Sequence, residues 1–129
     1  MNEQSDAIRE ALESAIAENE VILFMKGTPN APACGFSART VGALQSLDAK
    51  FAAVDVLPDP RIRQELSELS EWPTIPQLFV RGELVGGCDI VTEMLATGEL
   101  AALLGVEQPD QAPAEVQVAG GVLGIENRL

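Results

Sequence analysis

Residues 21–37 read VILFMKGTPNAPACGFS, and this stretch passes from a strand pattern through a loop pattern into a helix pattern. Its first five residues form an unbroken apolar run, which is typical of a strand buried on both faces. Glycine, proline and asparagine in residues 27–33 predict a loop. Apolar residues at helical spacing then predict a helix that starts at Cys34 or Gly35 and ends near Leu47. The stretch therefore indicates an α/β domain.

The patterns on either side of this stretch alternate between helix and strand. Ile8, Leu12 and Ile16 recur at four-residue spacing, which predicts an amphipathic helix with Ser5 as its N-cap. Further along, the patterns predict a strand at 51–56, a helix with Asp59 as N-cap and Pro60 as first residue, strands at 77–80 and 83–85, and helices at 89–96 and 99–104. The order α-β-α-β-α-β-β-α-α predicts a small mixed sheet with helices on both faces.

The chain has 129 residues, a length that fits one domain. After Gly105 the regular patterns give way to a stretch rich in proline, glutamine, glutamate, alanine and glycine. We therefore predict a single folded domain over residues 1–105 and a flexible C-terminal extension over residues 106–129.

Acidic residues dominate the chain, because 20 aspartates and glutamates against 8 lysines and arginines give a formal net charge of −12. This charge argues against binding to nucleic acid or to an anionic membrane, since both need cations on the protein. The first twenty residues lack the features of a signal peptide, and no apolar run is long enough to span a membrane. We therefore predict a cytoplasmic protein.

Histidine is absent from the chain, and its absence excludes several kinds of site. There is no imidazole base, no Cys-His or Ser-His pair, and no histidine ligand for zinc. Cysteine occurs only twice, at Cys34 and Cys88, which provides no disulfide scaffold. The chemistry must therefore come from carboxylates, a few cations and these two thiols.

Cys34 stands where the predicted loop meets the start of the predicted helix. The backbone N–H groups of a first helical turn and the helix dipole favour the thiolate form of a sulfur at that place. Lys26 ends the preceding strand, so both residues are expected at the sheet edge where open α/β sheets bind ligands. These features favour a reactive thiolate over a small buried hydrophobic residue.

The residue three positions after Cys34 is Ser37, where a dithiol Cys-x-x-Cys motif would have its second cysteine. Cys34 therefore has no local partner with which to form a disulfide. Two interpretations remain: Cys34 forms mixed disulfides with an external thiol, or it ligates a metal. A four-coordinate iron–sulfur or zinc site would need ligands from a second chain or from small thiols.

Four segments of the chain, taken together and in order, resemble the single-domain monothiol glutaredoxins of the CGFS type. They are MKGTP at 25–29, CGFS at 34–37, WPTIPQ at 72–77 and GGCDI at 86–90. The resemblance covers roughly residues 5–105 without an obvious gap. It implies a thioredoxin fold, with a four-stranded mixed sheet flanked by about five helices.

The resemblance also implies a function. Members of this family bind glutathione and, as homodimers, hold a bridging [2Fe–2S] cluster to which each subunit gives one cysteine and each glutathione one thiol. They act mainly as carriers that pass clusters to acceptor apoproteins, and often pair with BolA-like proteins. The alternative is an enzyme, a glutathione-dependent thiol–disulfide oxidoreductase that removes glutathione from protein mixed disulfides through Cys34.

Carried over by position, the resemblance makes Cys34 both the cluster ligand and the nucleophile. Lys26 and Arg63 would bind the glycine carboxylate of glutathione, while Gly35 and Phe36 would shape the floor beside the sulfur. Local cations make physical sense, because a chain with a net charge of −12 otherwise repels anionic glutathione. The alternative for both cations is a solvated surface residue.

The remaining glutathione contacts are also implied by the resemblance. Thr74 and Ile75 would offer backbone hydrogen bonds to the cysteinyl part, with Pro76 as a cis-proline that shapes the loop. Cys88 and Asp89 would hold the γ-glutamyl end, with Asp89 pairing with its amino group. Asp89 could instead be the N-cap of the following helix, and Cys88 could be a distant resolving thiol or a plain buried residue.

Overall fold

The computed structural model describes residues 3–106 of the chain. Its helices and strands are α1 Glu3–Glu18, β1 Val21–Met25, β2 Gly27–Thr28, β3 Ala31–Pro32, α2 Gly35–Ser46, β4 Ala52–Asp55, α3 Pro60–Ser70, β5 Gln77–Val80, β6 Glu83–Gly86, α4 Cys88–Thr97 and α5 Glu99–Leu104. The predicted C-terminal extension, apart from Val106, lies outside the described residues. None of the helices between residues 3 and 106 is long and apolar enough to cross a membrane.

The main sheet has four strands in the order β4-β1-β5-β6. β1 runs parallel to β4, with Leu23 opposite Ala53, and antiparallel to β5, with Leu23 opposite Leu78. β6 pairs antiparallel with β5 and forms the other edge. The sheet is therefore mixed, and the predicted thioredoxin fold with five helices is confirmed.

β1 lies at the centre of the domain, and all five of its residues are buried. Successive side chains of a strand point to opposite faces. Ile22 and Phe24 accordingly pack on the side of α1 and α3, whereas Leu23 and Met25 pack on the side of α2, α4 and α5. Each fully buried side chain of this size contributes about 1.5–3 kcal/mol to folding. The unbroken apolar run is thus explained by helices on both faces of the sheet.

Residues 27–33 differ from the predicted irregular loop, because they contain the two-stranded hairpin β2-β3. Gly27 pairs with Pro32, and the Ala33 N–H donates to the Lys26 carbonyl at 2.9 Å. Gly27 has φ +87°, a conformation that glycine adopts readily and other residues rarely do. Cys34 therefore lies between the hairpin β2-β3, which precedes it, and the helix α2, which follows it.

The ends of several other elements follow from local chemistry. Asp59 is the N-cap of α3, accepting the Arg61 N–H at 3.0 Å, and Pro60 is the first helical residue, as predicted. Arg81 and Gly82 both have positive φ and form the two-residue turn between β5 and β6. The predicted N-cap at Ser5 is wrong, because α1 already includes Glu3. The helix predicted at 89–96 starts one residue earlier, at Cys88.

Candidate functional site

Cys34 is the N-cap of α2, with extended backbone angles of φ −151° and ψ 159°. Its sulfur accepts the Ser37 backbone N–H at 3.4 Å, in the way a serine or aspartate oxygen caps a helix. The side chain is partly exposed. The thiol therefore stands at the positive end of a twelve-residue helix and is accessible to a reaction partner.

Ser37 links this thiol to the end of the central strand. Its side chain is fully buried, and its Oγ lies 3.4 Å from Cys34 Sγ within a hydrogen bond. The Lys26 backbone N–H donates to the same Oγ at 3.1 Å. In the neutral form the Cys34 thiol donates to this oxygen, and once the thiol ionises the hydroxyl proton can be donated to the sulfur instead. The serine of the monothiol motif is thus a structural partner of Cys34.

Burial disfavours the Cys34 thiolate and is the largest single influence on the pKa of this thiol, but the influences opposing it outweigh it together. They are the hydrogen bond from the Ser37 hydroxyl, the backbone N–H groups of Ser37 and Phe36, and the positive charge of Lys26. The pKa of Cys34 is therefore lowered. A larger thiolate fraction at neutral pH makes Cys34 a better nucleophile and metal ligand.

Replacing Ser37 with alanine is expected to raise the pKa of Cys34, because the hydroxyl hydrogen bond to the sulfur is lost. The pH dependence of Cys34 alkylation by iodoacetamide measures this, since only the thiolate reacts. The rate of the S37A variant should rise at higher pH than that of the parent chain. Ser46→Ala is the matched control, because Ser46 lies on the same helix and donates to the Ala43 carbonyl at 2.7 Å. Equal pH profiles for S37A and the parent would contradict the assigned role.

A loop that ends in a cis peptide bond precedes β5. The Ile75–Pro76 bond is cis, which confirms what the resemblance implied. The buried Gln77 holds this loop, because its Nε2 donates to the carbonyls of Trp72 at 2.9 Å and Thr74 at 3.1 Å. The backbone of this loop is thereby fixed as one wall of a cleft.

An open cleft of about 230 Å³ lies between this loop, α2 and the start of α4. The residues that line it are Phe36, Trp72, Thr74, Ile75, Pro76, Gly87, Cys88, Asp89 and Ile90. The structure thus brings together most of the residues proposed for glutathione. It does not place Cys34, Gly35, Lys26 or Arg63 among the lining residues.

Lys26 and Arg63 lie near the cleft but are not among the residues that line it. The ammonium of Lys26 is close enough to Cys34 to lower the pKa of its thiol. Arg63 Nη2 donates weakly to the Pro73 carbonyl at 3.4 Å, beside the cis-proline loop. Neither cation forms an ion pair with a carboxylate in residues 3–106, whereas Arg9 and Arg81 do. Both charges therefore remain available to an anion.

Cys88 and Asp89 open α4 at the far end of the cleft. The N-cap of this helix is Gly87, so Asp89 lies in the first turn, and the alternative of Asp89 as N-cap is wrong. Asp89 is exposed, whereas Cys88 is 7% exposed. Both cysteines are free thiols. Burial of Cys88 agrees with a packing role and with contacts made through its backbone.

Sequence reasoning missed the part of Trp72, Gly87 and Ile90 in the cleft wall. A Cβ atom at position 87 would lie 3.2 Å from the Pro76 carbonyl oxygen and 3.5 Å from Trp72 Nε1. Glycine at this position therefore lets α4 approach the cis-proline loop closely. Trp72 belongs to the segment WPTIPQ and Gly87 to the segment GGCDI. The signal that could have revealed their contact is a bulky indole in one segment and a glycine in the other.

The described part of the chain contains no group of three or more histidine, cysteine, aspartate or glutamate residues that could hold a metal ion. Cys34 can supply one thiolate, and Cys88 is buried. A metal or cluster bound at Cys34 would therefore need most of its ligands from outside this chain.

A thiol with a lowered pKa at the start of α2 and a cis-proline loop at the neighbouring cleft are typical of the thioredoxin fold. Comparison with known proteins agrees. The glutaredoxin family model matches residues 21–85. Monothiol glutaredoxin-5, mitochondrial, of Saccharomyces cerevisiae is 57% identical over 103 residues, which cover 78% of this chain and 69% of the yeast protein.

Solved structures give the same result. A monomeric truncated mutant of Trypanosoma brucei 1-C-Grx1 matches with a TM-score of 0.71 and 42% identity, covering 79% of this chain and 96% of that one. A buckwheat glutaredoxin–glutathione complex matches in fold, with a TM-score of 0.72 and 23% identity, over 81% of this chain and 94% of that one. The chain belongs to the monothiol glutaredoxin family.

Proposed function

We propose that this protein binds glutathione and, as a homodimer, carries a [2Fe–2S] cluster that it transfers to acceptor apoproteins. The observation that carries the proposal is the environment of Cys34. This thiol has a lowered pKa and is partly exposed, and a serine takes the place of a nearby second cysteine. It suits one coordination position on iron and needs outside thiols to complete a site.

Glutathione fits the polar groups around the cleft. Its glycine carboxylate would lie between Lys26 and Arg63, which have no carboxylate partner within residues 3–106. Its cysteinyl part would form backbone hydrogen bonds with Thr74 and Ile75 at the cis-proline loop. Because the whole chain has a net charge of −12, the two cations are needed to bring an anion to this edge.

The γ-glutamyl end would bind at the start of α4. The backbone N–H groups of Cys88 and Asp89 belong to the first turn of this ten-residue helix, where N–H groups lack partners within the helix and favour a carboxylate. The exposed carboxylate of Asp89 suits the ammonium of the same group. This orientation would leave the glutathione thiol near Cys34, with Gly35 and Phe36 beside it.

Two copies of this arrangement supply four thiolates, namely two from Cys34 and two from glutathione, which is the ligand number of a [2Fe–2S] cluster. Transfer would proceed by ligand exchange without any change of oxidation state. A cysteine thiol of the acceptor loses its proton and binds iron, and the displaced Cys34 or glutathione thiolate takes up a proton. Lability of the glutathione ligands favours transfer over storage.

The same proposal names the partners and the compartment. The partners are glutathione, a second copy of the chain, iron–sulfur acceptor apoproteins and a BolA-like protein. The net charge of −12 supports the exclusion of nucleic acid and anionic membranes as partners. We propose a cytoplasmic location on the basis of the amino-acid sequence alone.

The lowered pKa of Cys34 also supports a second function, the removal of glutathione from protein mixed disulfides. The Cys34 thiolate would attack the glutathionyl sulfur, and the protein thiol would leave as a thiolate and take up a proton. A second glutathione thiolate would then attack the Cys34–glutathione disulfide, releasing Cys34 and oxidised glutathione.

Anaerobic reconstitution with iron and sulfide, with and without glutathione, tests the proposal and separates the two functions. The carrier function requires a visible charge-transfer spectrum that depends on glutathione and belongs to a species eluting as a dimer. A colourless monomer under these conditions would contradict the carrier function. Turnover with a glutathionylated protein would then support the oxidoreductase.

Replacing Arg63 with alanine is expected to raise the glutathione concentration needed for half-maximal cluster assembly by about tenfold, because a charged hydrogen bond to the carboxylate is lost. Lys26→Ala should have a similar effect and should in addition raise the pKa of Cys34. Lys50→Ala is the control, since Lys50 precedes the start of β4, whereas Lys26 follows the end of the parallel strand β1, so the two lysines lie at opposite ends of these strands. An unchanged requirement in R63A would remove Arg63 from the glutathione site.

A further inference from the structure

The guanidinium of Arg39 stacks on the ring of Phe36, with its Cζ 5.0 Å from the ring centroid. The Phe36 side chain is 54% exposed, which is unusual for a residue of this size. Arg39 Nη1 would lie 3.9 Å from a Cβ atom at position 35. A positive charge and an exposed aromatic ring are therefore held together beside the residue that follows Cys34.

The geometry of α2 explains this position. Residues three and four apart are neighbours on a helix surface, and long side chains point toward the helix N-terminus. Arg39 therefore reaches back over Phe36 and Gly35 toward the end where Cys34 lies. Stacking restricts the side chain but leaves the guanidinium N–H groups free at the rim of the plane, where they can bind a carboxylate.

Glutathione accounts for Phe36, which lines the cleft, but not for Arg39. Arg39 is not among the residues that line the cleft, and it forms no ion pair with a carboxylate in the described part of the chain. Phe36 lines the cleft, and the Arg39 guanidinium stacks on its ring. The pair thus extends the site outward along the surface of α2.

The surroundings favour an anionic protein. Lys26, Arg39 and Arg63 form no ion pair with a carboxylate in residues 3–106. The carboxylate of glutathione would take Lys26 and Arg63, which leaves Arg39, beside Phe36, for a carboxylate of a partner. The carboxylate of Asp55 nearby is already engaged, because its Oδ1 accepts the N–H groups of Gly27 and Leu57, both at 2.9 Å. Leu57, at 51% exposure, is the other large apolar side chain that is exposed in the described residues.

We propose that the Phe36–Arg39 pair docks an acidic protein partner, namely an acceptor with a carboxylate next to the cysteine that exchanges with Cys34. This inference rests on the proposed function of Cys34 as an exchanging thiolate. Arg39 would bind the carboxylate, while the exposed ring of Phe36 would contact apolar groups around it. A second copy of the chain would also come near Cys34 in the cluster-bound dimer, and reconstitution of the R39E variant distinguishes that occupant from an acceptor.

Two synthetic peptides test this proposal, identical except that two glutamates or two glutamines flank a glutathionylated cysteine. The Cys34 thiolate of the full chain attacks the glutathionyl sulfur, the peptide–glutathione bond breaks, and the peptide thiolate leaves and takes up a proton. The measurement is the second-order rate constant of this step by mass spectrometry. At low salt the parent chain should react about threefold faster with the glutamate peptide.

Arg39→Glu should reverse this preference, and 0.5 M salt should remove it from the parent chain. Lys50→Glu makes the same charge change before the start of β4, at the end of the parallel strands opposite to Lys26, so it should retain the preference. The proposal is overturned if R39E keeps the preference of the parent chain, or if K50E loses it to the same extent.

Reconstitution of the R39E variant separates this proposal from the function on which it rests. R39E should still form the glutathione-dependent dimer, because Arg39 lies outside the cleft. Loss of that dimer with an unchanged peptide preference would assign the surface to a second copy and overturn the proposal. Failure of the parent chain to assemble a cluster would contradict the carrier function, while the peptide preference would still decide the role of Arg39.

Discussion

Replacing Cys34 with serine is expected to abolish cluster binding and thiol exchange while leaving the fold intact. A serine hydroxyl does not ionise near neutral pH and is a poor ligand for iron, so the loss should be complete. The fold should survive because the side chain is partly exposed and acts as a helix N-cap, a position that serine favours. The free energy of unfolding should change by less than about 1 kcal/mol.

Visible absorption after anaerobic reconstitution measures the first effect, and urea denaturation measures the second. Cys88→Ser is the matched control, since it makes the same chemical change at the buried thiol. That variant should still assemble the cluster. A C34S protein with a full cluster would remove Cys34 from the ligand set, and loss of the cluster in C88S alone would transfer the assignment to Cys88.

Replacing Gly27 with alanine is expected to destabilise the domain by about 3 kcal/mol. Gly27 has φ +87°, which is unfavourable for any residue with a side chain. A Cβ atom there would lie 2.5 Å from the Ala31 carbonyl oxygen and 2.6 Å from the Ala33 nitrogen. These are backbone atoms, so the β2-β3 hairpin would have to move, and Cys34 directly follows it.

Urea denaturation checks this expectation through the transition midpoint and its slope. Gly42→Ala is the matched control, because Gly42 lies inside α2 and a Cβ atom there would meet nothing within 4 Å. Alanine in the middle of a helix should stabilise the chain by about 0.5–1 kcal/mol. Equal stability of the two variants would mean that the hairpin accepts a side chain at position 27 without strain.

Much of the fold could be predicted from local sequence because strong signals coincide with it. The apolar run of β1 agrees with its complete burial, and the Asp59-Pro60 pair marks the start of α3. The short hairpin in residues 27–33 could not be predicted in the same way. Its strands have two residues each, and prolines within such a segment indicate a loop just as well.

The site was predicted unevenly for a physical reason. The position of Cys34 at the start of a helix follows from local loop and helix patterns and is confirmed. The contacts of Ser37 depend on the Lys26 amide eleven residues away, and the stacking of Arg39 on Phe36 depends on side-chain conformation. Neither has a pattern in the sequence. The cleft is likewise assembled from three segments far apart in the chain.

The proposed carrier function fixes the composition of the assembled complex. Native mass spectrometry of the anaerobically reconstituted full chain gives the number of chains, glutathione molecules, iron and sulfide in one particle. The carrier function requires two chains, two glutathiones and one [2Fe–2S] cluster, and it requires the particle to dissociate to monomers when glutathione is removed. A cluster-bound particle without glutathione, or a monomer that holds glutathione and no iron, would contradict it.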